Sequence, residues 1–333
     1  MKKPIISLLL CVLCFLIPVW VLSVVEDPKK EGEEKAAIPR DEDMIEVLFS
    51  DEIKTMTMQD YLVGTLSAEM PASYPEEALK AQAIAARSNL LYKMELRDRY
   101  PEQASHKDAD ICADYAHCQA FATEEEQKEK WGDKYEEKHA KMVKAVADTQ
   151  NVFLTYEGRP ISALFHAISS GKTESAADVW GGNGIPYLIP VESEWDKSSD
   201  GYESVTTLTL EEARSIILEA YPNNAMPETP DKWVTELKKS ESGGWMKLKL
   251  WGEKLSGREF RNLFSLRSTN ITLEWEGETL HLITHGYGHG VGMSQYGAKC
   301  MAEEGKTAGE ILAHYYPGTT IDTQENLYIE KNG

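Results

Sequence analysis

Two apolar patterns divide the chain. Residues 5–25 are uncharged and rich in Leu, Val and Ile, and Lys2 and Lys3 precede them. About 20 apolar residues are enough to cross a hydrocarbon layer of roughly 30 Å. Residues 1–25 are therefore expected to form a single-pass transmembrane signal anchor. A cleaved signal is the alternative, but VLSVVEDPKK offers no A-x-A-like site, and no small residue precedes Cys11 or Cys14 as a lipoprotein would need. The two Lys stay on the cytoplasmic side, so the rest of the chain is expected outside the cell membrane. Residues 26–43, EDPKKEGEEKAAIPRDED, carry too little apolar surface to fold and read as a charged, solvated linker.

From residue 44 the pattern changes to short periodic segments. Residues 45–49 read as a strand. Thr57-x-x-Asp60 is a capping box opening a helix through Tyr61, Leu62, Leu66 and Ala68. Pro71 disfavours the α conformation at Met70, which ends that helix near Glu69. Ser73-x-x-Glu76 repeats the signal and opens EEALKAQAIAARSNLLYKMEL, helical to about Leu96 and slim through its Ala positions. Residues 101–140 are polar and read as a surface insertion with a late helix. Residues 152–156 and 161–166 flank a Gly-Arg turn as a hairpin, and a Gly-rich loop follows Trp180. Helices and strands mix over 206–265, and residues 271–284 alternate around Glu276-Gly277. The last helix is expected from about residue 295 to 304, with 307–314 after it. The fold class is α+β, mostly antiparallel strands with packed helices. The body spans 44–322, with an optional smaller α/β lobe at about 200–265, and 323–333 form a C-terminal tail.

Composition narrows the chemistry. The 333 residues carry 35 Lys+Arg against 55 Asp+Glu, a formal charge of −20. No nucleic-acid partner is expected, because phosphate neutralisation needs a basic surface. Of five Cys, two lie in the N-terminal apolar run and Cys300 stands alone, expected as a buried small side chain. In the soluble part only Cys112 and Cys118 form a close pair, which excludes a multi-disulfide scaffold. An extracytoplasmic body also excludes nucleotide-dependent catalysis; in a bacterium the polymer it meets is cell wall.

Several long blocks stand in order: Ser67-Ala-Glu69-Met-Pro71, Glu77-Ala-Leu-Lys-Ala-Gln82-Ala-Ile-Ala-Ala-Arg87, Phe165-His-Ala-Ile-Ser-Ser-Gly171, Val179-Trp180, His285-Gly-Tyr-Gly-His289-Gly-Val-Gly-Met-Ser-Gln295-Tyr-Gly-Ala298 and His314-Tyr-Tyr-Pro-Gly318. Together they resemble the stage II sporulation protein D family of peptidoglycan lytic transglycosylases, over about residues 45–322. The resemblance implies cleavage of the MurNAc–GlcNAc bond of peptide-stripped glycan strands to 1,6-anhydro-MurNAc ends, during forespore engulfment. It implies membrane anchoring, and as partners a sporulation cell-wall amidase and a membrane scaffold protein of the engulfment complex. It maps a single catalytic acid onto Glu69.

Such an enzyme protonates the leaving glycosidic oxygen, then takes the proton of the muramoyl 6-hydroxyl as that oxygen attacks the anomeric carbon. One carboxyl can do both in turn. Ordinary glycosidases use two, so a hydrolytic muramidase would need Glu174, Asp178 or Asp196 beside Glu69. A non-catalytic glycan-binding enhancer of an amidase is the third reading. At a helix C-terminus, and buried, Glu69 would be pushed towards its protonated form; an exposed helix end is the plain alternative.

Substrate contacts are expected from Tyr287 and Tyr296 as stacking rings and from His285, His289, Ser294 and Gln295 as hydrogen-bonding groups, with Gly residues letting backbone approach a ligand. A tight structural bend is the alternative. Ser169 and Ser170 are candidates for the same groove, as are Trp180 and Trp195. Gln82 and Arg87 reach it from the Ala-rich helix, unless Arg87 serves a salt bridge. His106-x5-Cys112-x4-His117-Cys118 is a full tetrahedral Zn²⁺ set, with a Cys112–Cys118 disulfide as the alternative outside the cell. The resemblance favours metal, since some clostridial members carry such a cluster here. Four protein ligands make a structural site. No organic cofactor is expected.

Overall fold

Thr57 sets the start of the first helix. Its hydroxyl accepts from the Asp60 N–H at 3.1 Å and donates to the Asp60 carboxylate at 2.7 Å, satisfying one of the orphan donors of the first turn. The computed structural model describes residues 38–102 and 106–323. In it this helix, α1, runs Met58–Glu69 and stops at extended Met70. The anchor expected at 1–25, most of the linker and the tail from 324 lie outside the described residues. Among those described, no helix is long and apolar enough to cross a membrane.

The second capping box does not form. Pro75 is the N-cap and no side chain caps α2, Glu76–Arg99. This helix is held by tertiary contacts instead. Ala78, Ala81, Ala83, Ala85 and Ala86 are buried, and such small side chains let neighbours approach closely. Strand β1 (Met44–Phe49) pairs antiparallel with β2 (Glu52–Thr57) and parallel with β3 (Ile111–Cys112). Helices α3 (Glu124–Trp131) and α4 (Tyr135–Ala147) follow, and α2 packs against α1, α4 and the strand β4 (Val152–Tyr156).

Two segments differ from their expected roles. The linker does not reach residue 43: Asp41 is 1% exposed and forks onto Arg87, Oδ1 to Nε at 2.7 Å and Oδ2 to Nη2 at 2.6 Å. Arg87 also donates to the Val152 carbonyl at 2.9 Å. A buried guanidinium needs such partners, and its acid lies 46 positions away, where composition conceals it. Nor are residues 101–140 a mere surface insertion. They supply β3, and Phe121 stacks on Tyr61 with ring centroids 5.9 Å apart. Buried Gln119 accepts from the Tyr61 hydroxyl at 2.9 Å.

The expected hairpin is cut short. β4 pairs with β5 (Arg159–Pro160) and with β14 (Thr320–Thr323); Pro160 has no N–H to extend the ladder. β6 (Phe165–His166) turns away to pair parallel with β13 (Met293–Ser294). Helix α5 (Ala176–Trp180) leads into the glycine loop. A second core joins β7 (Glu203–Thr209), α6 (Leu210–Ala220), β8 (Val234–Lys239), β9 (Trp245–Leu250), β10 (Glu253–Ser256), α7 (Gly257–Leu263), β11 (Ile271–Glu276) and β12 (Thr279–His285). Its apolar cluster includes Ile217, Trp233, Trp245, Phe260, Leu280 and Leu282. It therefore passes residue 265, because β12 is hydrogen-bonded between β7 and β11. Helices α8 (Gln295–Glu303) and α9 (Ala308–Tyr315) pack on α2. Cys300, on α8, is half-buried rather than enclosed.

Candidate active-site groove

Glu69 is the last residue of α1, and its carboxyl stands in the wall of a groove of about 510 Å³. Pro71 and Tyr74 line it from the α1–α2 connection. Ala167 and Ile168 follow from the chain after β6, Ser198, Ser199 and Asp200 from the 3-10 turn Glu194–Ser198 and just beyond, and Gln295, Tyr296 and Lys299 from α8. Two donors hold the carboxyl: the Ala120 N–H at 2.8 Å from Oε1 and Gln295 Nε2 at 3.3 Å from Oε2. Burial pushes its pKa above the ordinary value. The Ala120 and Gln295 hydrogen bonds and the Lys130 ammonium pull it only part of the way back.

A second carboxyl positions Gln295. Ser294 caps α8, accepting from the Gly297 N–H at 3.1 Å and donating to Asp196 Oδ1 at 2.7 Å. Asp196 is fully buried, and its Oδ2 accepts from Ser169 at 2.6 Å and Ser193 at 2.7 Å. Burial raises the pKa of Asp196 too, while the hydroxyls oppose it. The serines adjoin groove segments 167–168 and 295–296, and Asp196 itself leads into 198–200. One carboxylate thus ties three parts of the wall together.

The predicted substrate residues separate. Gln295 and Tyr296 line the groove with Glu69. Gln82 is buried, with Oε1 3.5 Å from Gln295 Nε2 and its own amide nitrogen without a partner. Ser169 and Ser294 are corrections: each is buried, donates to a carboxylate and lies off the groove lining. Arg87 takes its salt-bridge alternative, buried with its donors on Asp41 and the Val152 carbonyl. Ser170, His285 and His289 line a separate small cleft with Glu174, and His285 Nε2 meets Glu203 at 3.2 Å. Tyr287 is 48% exposed. Trp195 donates to Glu304 at 2.7 Å.

The glycines serve the bend. A Cβ at Gly292, where φ is +73°, would stand 2.0 Å from the Leu164 carbonyl oxygen, so the close approach is to the protein's own backbone. His166 Nδ1 faces the Val291 carbonyl at 3.2 Å, and His289 Nδ1 accepts from the Val291 N–H at 3.1 Å. Burial pushes these imidazoles down, to about 3 and about 4. Both are neutral. Sequence reasoning missed Tyr74, Asp200, Lys299 and the Ala120 N–H. Lys299, four residues after Gln295, shares its helix face and was legible; a backbone donor leaves no side-chain signal.

The four metal-type residues converge. The ligand atoms of His106, Cys112, His117 and Cys118 lie within 4.8 Å of one another. His106 Nε2 is 3.4 Å from Cys118 Sγ, and His117 Nδ1 is 3.4 and 3.5 Å from the two sulfurs. Ligands of a tetrahedral Zn²⁺ stand roughly 3.3–3.8 Å apart, so the donor set fits and these three pairs already stand at that spacing. A turn makes this possible: the His117 and Cys118 N–H groups both donate to the Asp114 carbonyl. Cys112 and Cys118 are free thiols. Cys118 lies two residues before Ala120, the donor to Glu69.

The family model described as Stage II sporulation protein matches residues 50–156, a span holding Glu69, Ala120 and the metal-type cluster. Stage II sporulation protein D of Bacillus subtilis (strain 168) is 35% identical over 287 residues, 84% of this chain and 79% of that protein. This chain belongs to the stage II sporulation protein D family. The Bacillus amyloliquefaciens protein of that name is 34% identical over 286 residues, 83% of this chain and 77% of its own length. The amidase enhancer of B. subtilis (strain 168) is 27% identical over 308 residues, covering 78% of this chain and 40% of the enhancer.

In this member of the stage II sporulation protein D family, the carboxylates weighed as a second acid lie off the groove. Asp196 is enclosed by serines. Glu174 accepts from Ser240 at 2.9 Å and from the Gly244 N–H at 3.1 Å, and Asp178 lines a small cleft with it. Asp200 is the other carboxylate in the groove lining.

Proposed function

We propose that this chain acts in sporulation as a peptidoglycan lytic transglycosylase on glycan strands stripped of their stem peptides. Family membership supports the sporulation role. The observation that carries the mechanism is Glu69, a carboxyl held towards its protonated form by burial and yet open to a groove. As acid, Glu69 passes its proton to the glycosidic oxygen as the C1–O bond breaks. The carboxylate then accepts the proton of the muramoyl 6-hydroxyl while O6 bonds to C1. The proton is returned and no water is consumed. The Ala120 N–H and the Gln295 amide stabilise the carboxylate between the two steps, and Tyr296 offers a ring to a sugar face.

Digestion of peptide-free glycan with the full chain and with Glu69→Gln tests this. The expected product from wild type is a 1,6-anhydro end, one water lighter than a hydrolysed one, with none from the variant. A hydrolysed product would point to Asp200 as a second carboxyl. The likeness to the amidase enhancer favours a second reading, a glycan-binding protein that stimulates a wall amidase. Absence of cleavage by wild type together with stimulation of an amidase would select it.

The reading includes a structural Zn²⁺ held by His106, Cys112, His117 and Cys118. Zinc there would tie the 106–118 segment together, and none of the steps above uses it. One zinc per chain is the expected metal content of the purified protein; a metal-free folded protein would remove this part. The reading also includes a signal anchor at 1–25 with the body outside the cytoplasm, and a cell-wall amidase and a membrane scaffold of the engulfment complex as partners.

A further inference from the structure

Six of the nine arginines among the described residues have a carboxylate within ion-pair distance. Arg258, Arg261 and Arg267 do not. In a chain of formal charge −20, unpaired guanidiniums are the exception, and two of these three stand together at Tyr287. Arg267 is exposed, its guanidinium carbon 5.4 Å from the centroid of the Tyr287 ring. Arg261 is half-buried, donates from Nε to the Leu266 carbonyl at 3.1 Å, and acts electrostatically on both Tyr287 and His289. Trp180 is 43% exposed, with its ring 5.3 Å from that of His289.

Arg261 is partly withdrawn from water without a counterion and Arg267 stands exposed beside the same ring, so the arrangement is suited to a ligand that brings an anion. Exposed aromatic faces beside it suit a sugar ring. Ring and anion together describe a sugar acid. The patch is also contiguous with the groove. Ile168 lines the groove and bridges Tyr287 backbone to backbone, N–H to carbonyl in both directions at 3.1 and 2.7 Å.

We propose that Arg261, Arg267 and Tyr287 form a subsite for a muramoyl residue whose lactyl carboxylate is free, on the same strand as the bond held at Glu69. This rests on reading the groove as a glycan site. Tyr287 stacks on the sugar, and the guanidiniums pair with the carboxylate. A stem peptide converts that carboxylate into an amide and removes the charge, so this subsite discriminates between peptide-free and peptide-bearing strands without touching the peptide.

The test uses the full chain carrying Glu69→Gln, so that ligand survives, and two tetrasaccharide probes. One is peptide-free (GlcNAc–MurNAc)₂; the other is the same compound with both lactyl groups methylamidated. The free acid is expected to bind about ten-fold more tightly, as one charge-assisted contact warrants, followed by tryptophan fluorescence. Arg267→Gln should lower that preference several-fold, and Arg261→Gln should lower it too. Equal affinity for the two probes, binding of neither probe, or a preference unchanged by Arg267→Gln, overturns the proposal. Cleavage of peptide-free strands by wild type is measured in parallel. If cleavage is seen without charge preference, only this subsite falls; if there is no cleavage, the transglycosylase reading falls, while the preference still tests the subsite.

Discussion

Glu69 and Asp196 are both carboxyls that burial pushes towards the protonated form, and both act on Gln295, one directly and one through Ser294. Their surroundings differ. Asp196 is enclosed and receives three hydroxyl protons at 2.6–2.7 Å. Glu69 receives one short backbone donor and one long amide contact, and opens onto the groove. Asp41 completes the series on the enclosed side, with the Arg87 fork as its partner. Burial alone therefore does not mark a proton-transfer group. On the role proposed for Glu69, a shortage of donors together with an opening onto the groove does.

Glu69→Gln should reduce glycan cleavage by about 10²–10⁴-fold with the circular dichroism spectrum unchanged; retained cleavage would break the contrast at its active end. Asp41→Ala should cost about 3–5 kcal/mol in urea unfolding, because it leaves a buried guanidinium unpaired. A chain starting at residue 44 should share that loss, and one starting at residue 38 should not. Asp196→Ala strands three hydroxyl donors and should cost about 3 kcal/mol, with activity falling as Gln295 loses its support. Unaltered stability of Asp196→Ala would show that the serines are satisfied without it.

The smallest effect is a pH dependence. Glu69 has a folded-state pKa raised above its unfolded one. Its contribution to stability is then complete below about pH 4.5 and is lost as pH rises through the folded value. Glu69→Gln escapes that loss, so the Tm of the variant relative to wild type should climb across this window. A difference that shrinks with rising pH would reverse the assigned direction.

Much of the local structure was readable along the chain. The Thr57 cap and the Pro71 stop delimit α1, and they put Glu69 at a helix end where a raised pKa is reasonable. The capping box at Ser73 failed because Pro75 took the N-cap position. Of the glycines that suggested a ligand-binding loop, Gly286 and Gly292 proved to accommodate backbone against backbone, and Gly288, Gly290 and Gly297 to accommodate side chains of distant segments.

By itself, the sequence determined helix limits, the α+β pattern, the family blocks and the residue types able to hold zinc, since each depends on neighbours within a few turns of chain. Only the tertiary structure decided which polar groups are already satisfied. Asp41 with Arg87, Asp196 with its serines, and Ala120 with Glu69 join positions 46, 27 to 98, and 51 residues apart, apart from Ser193 three residues from Asp196. Whether a buried side chain is free to meet a sugar depends on those long-range partners, and no local pattern encodes them.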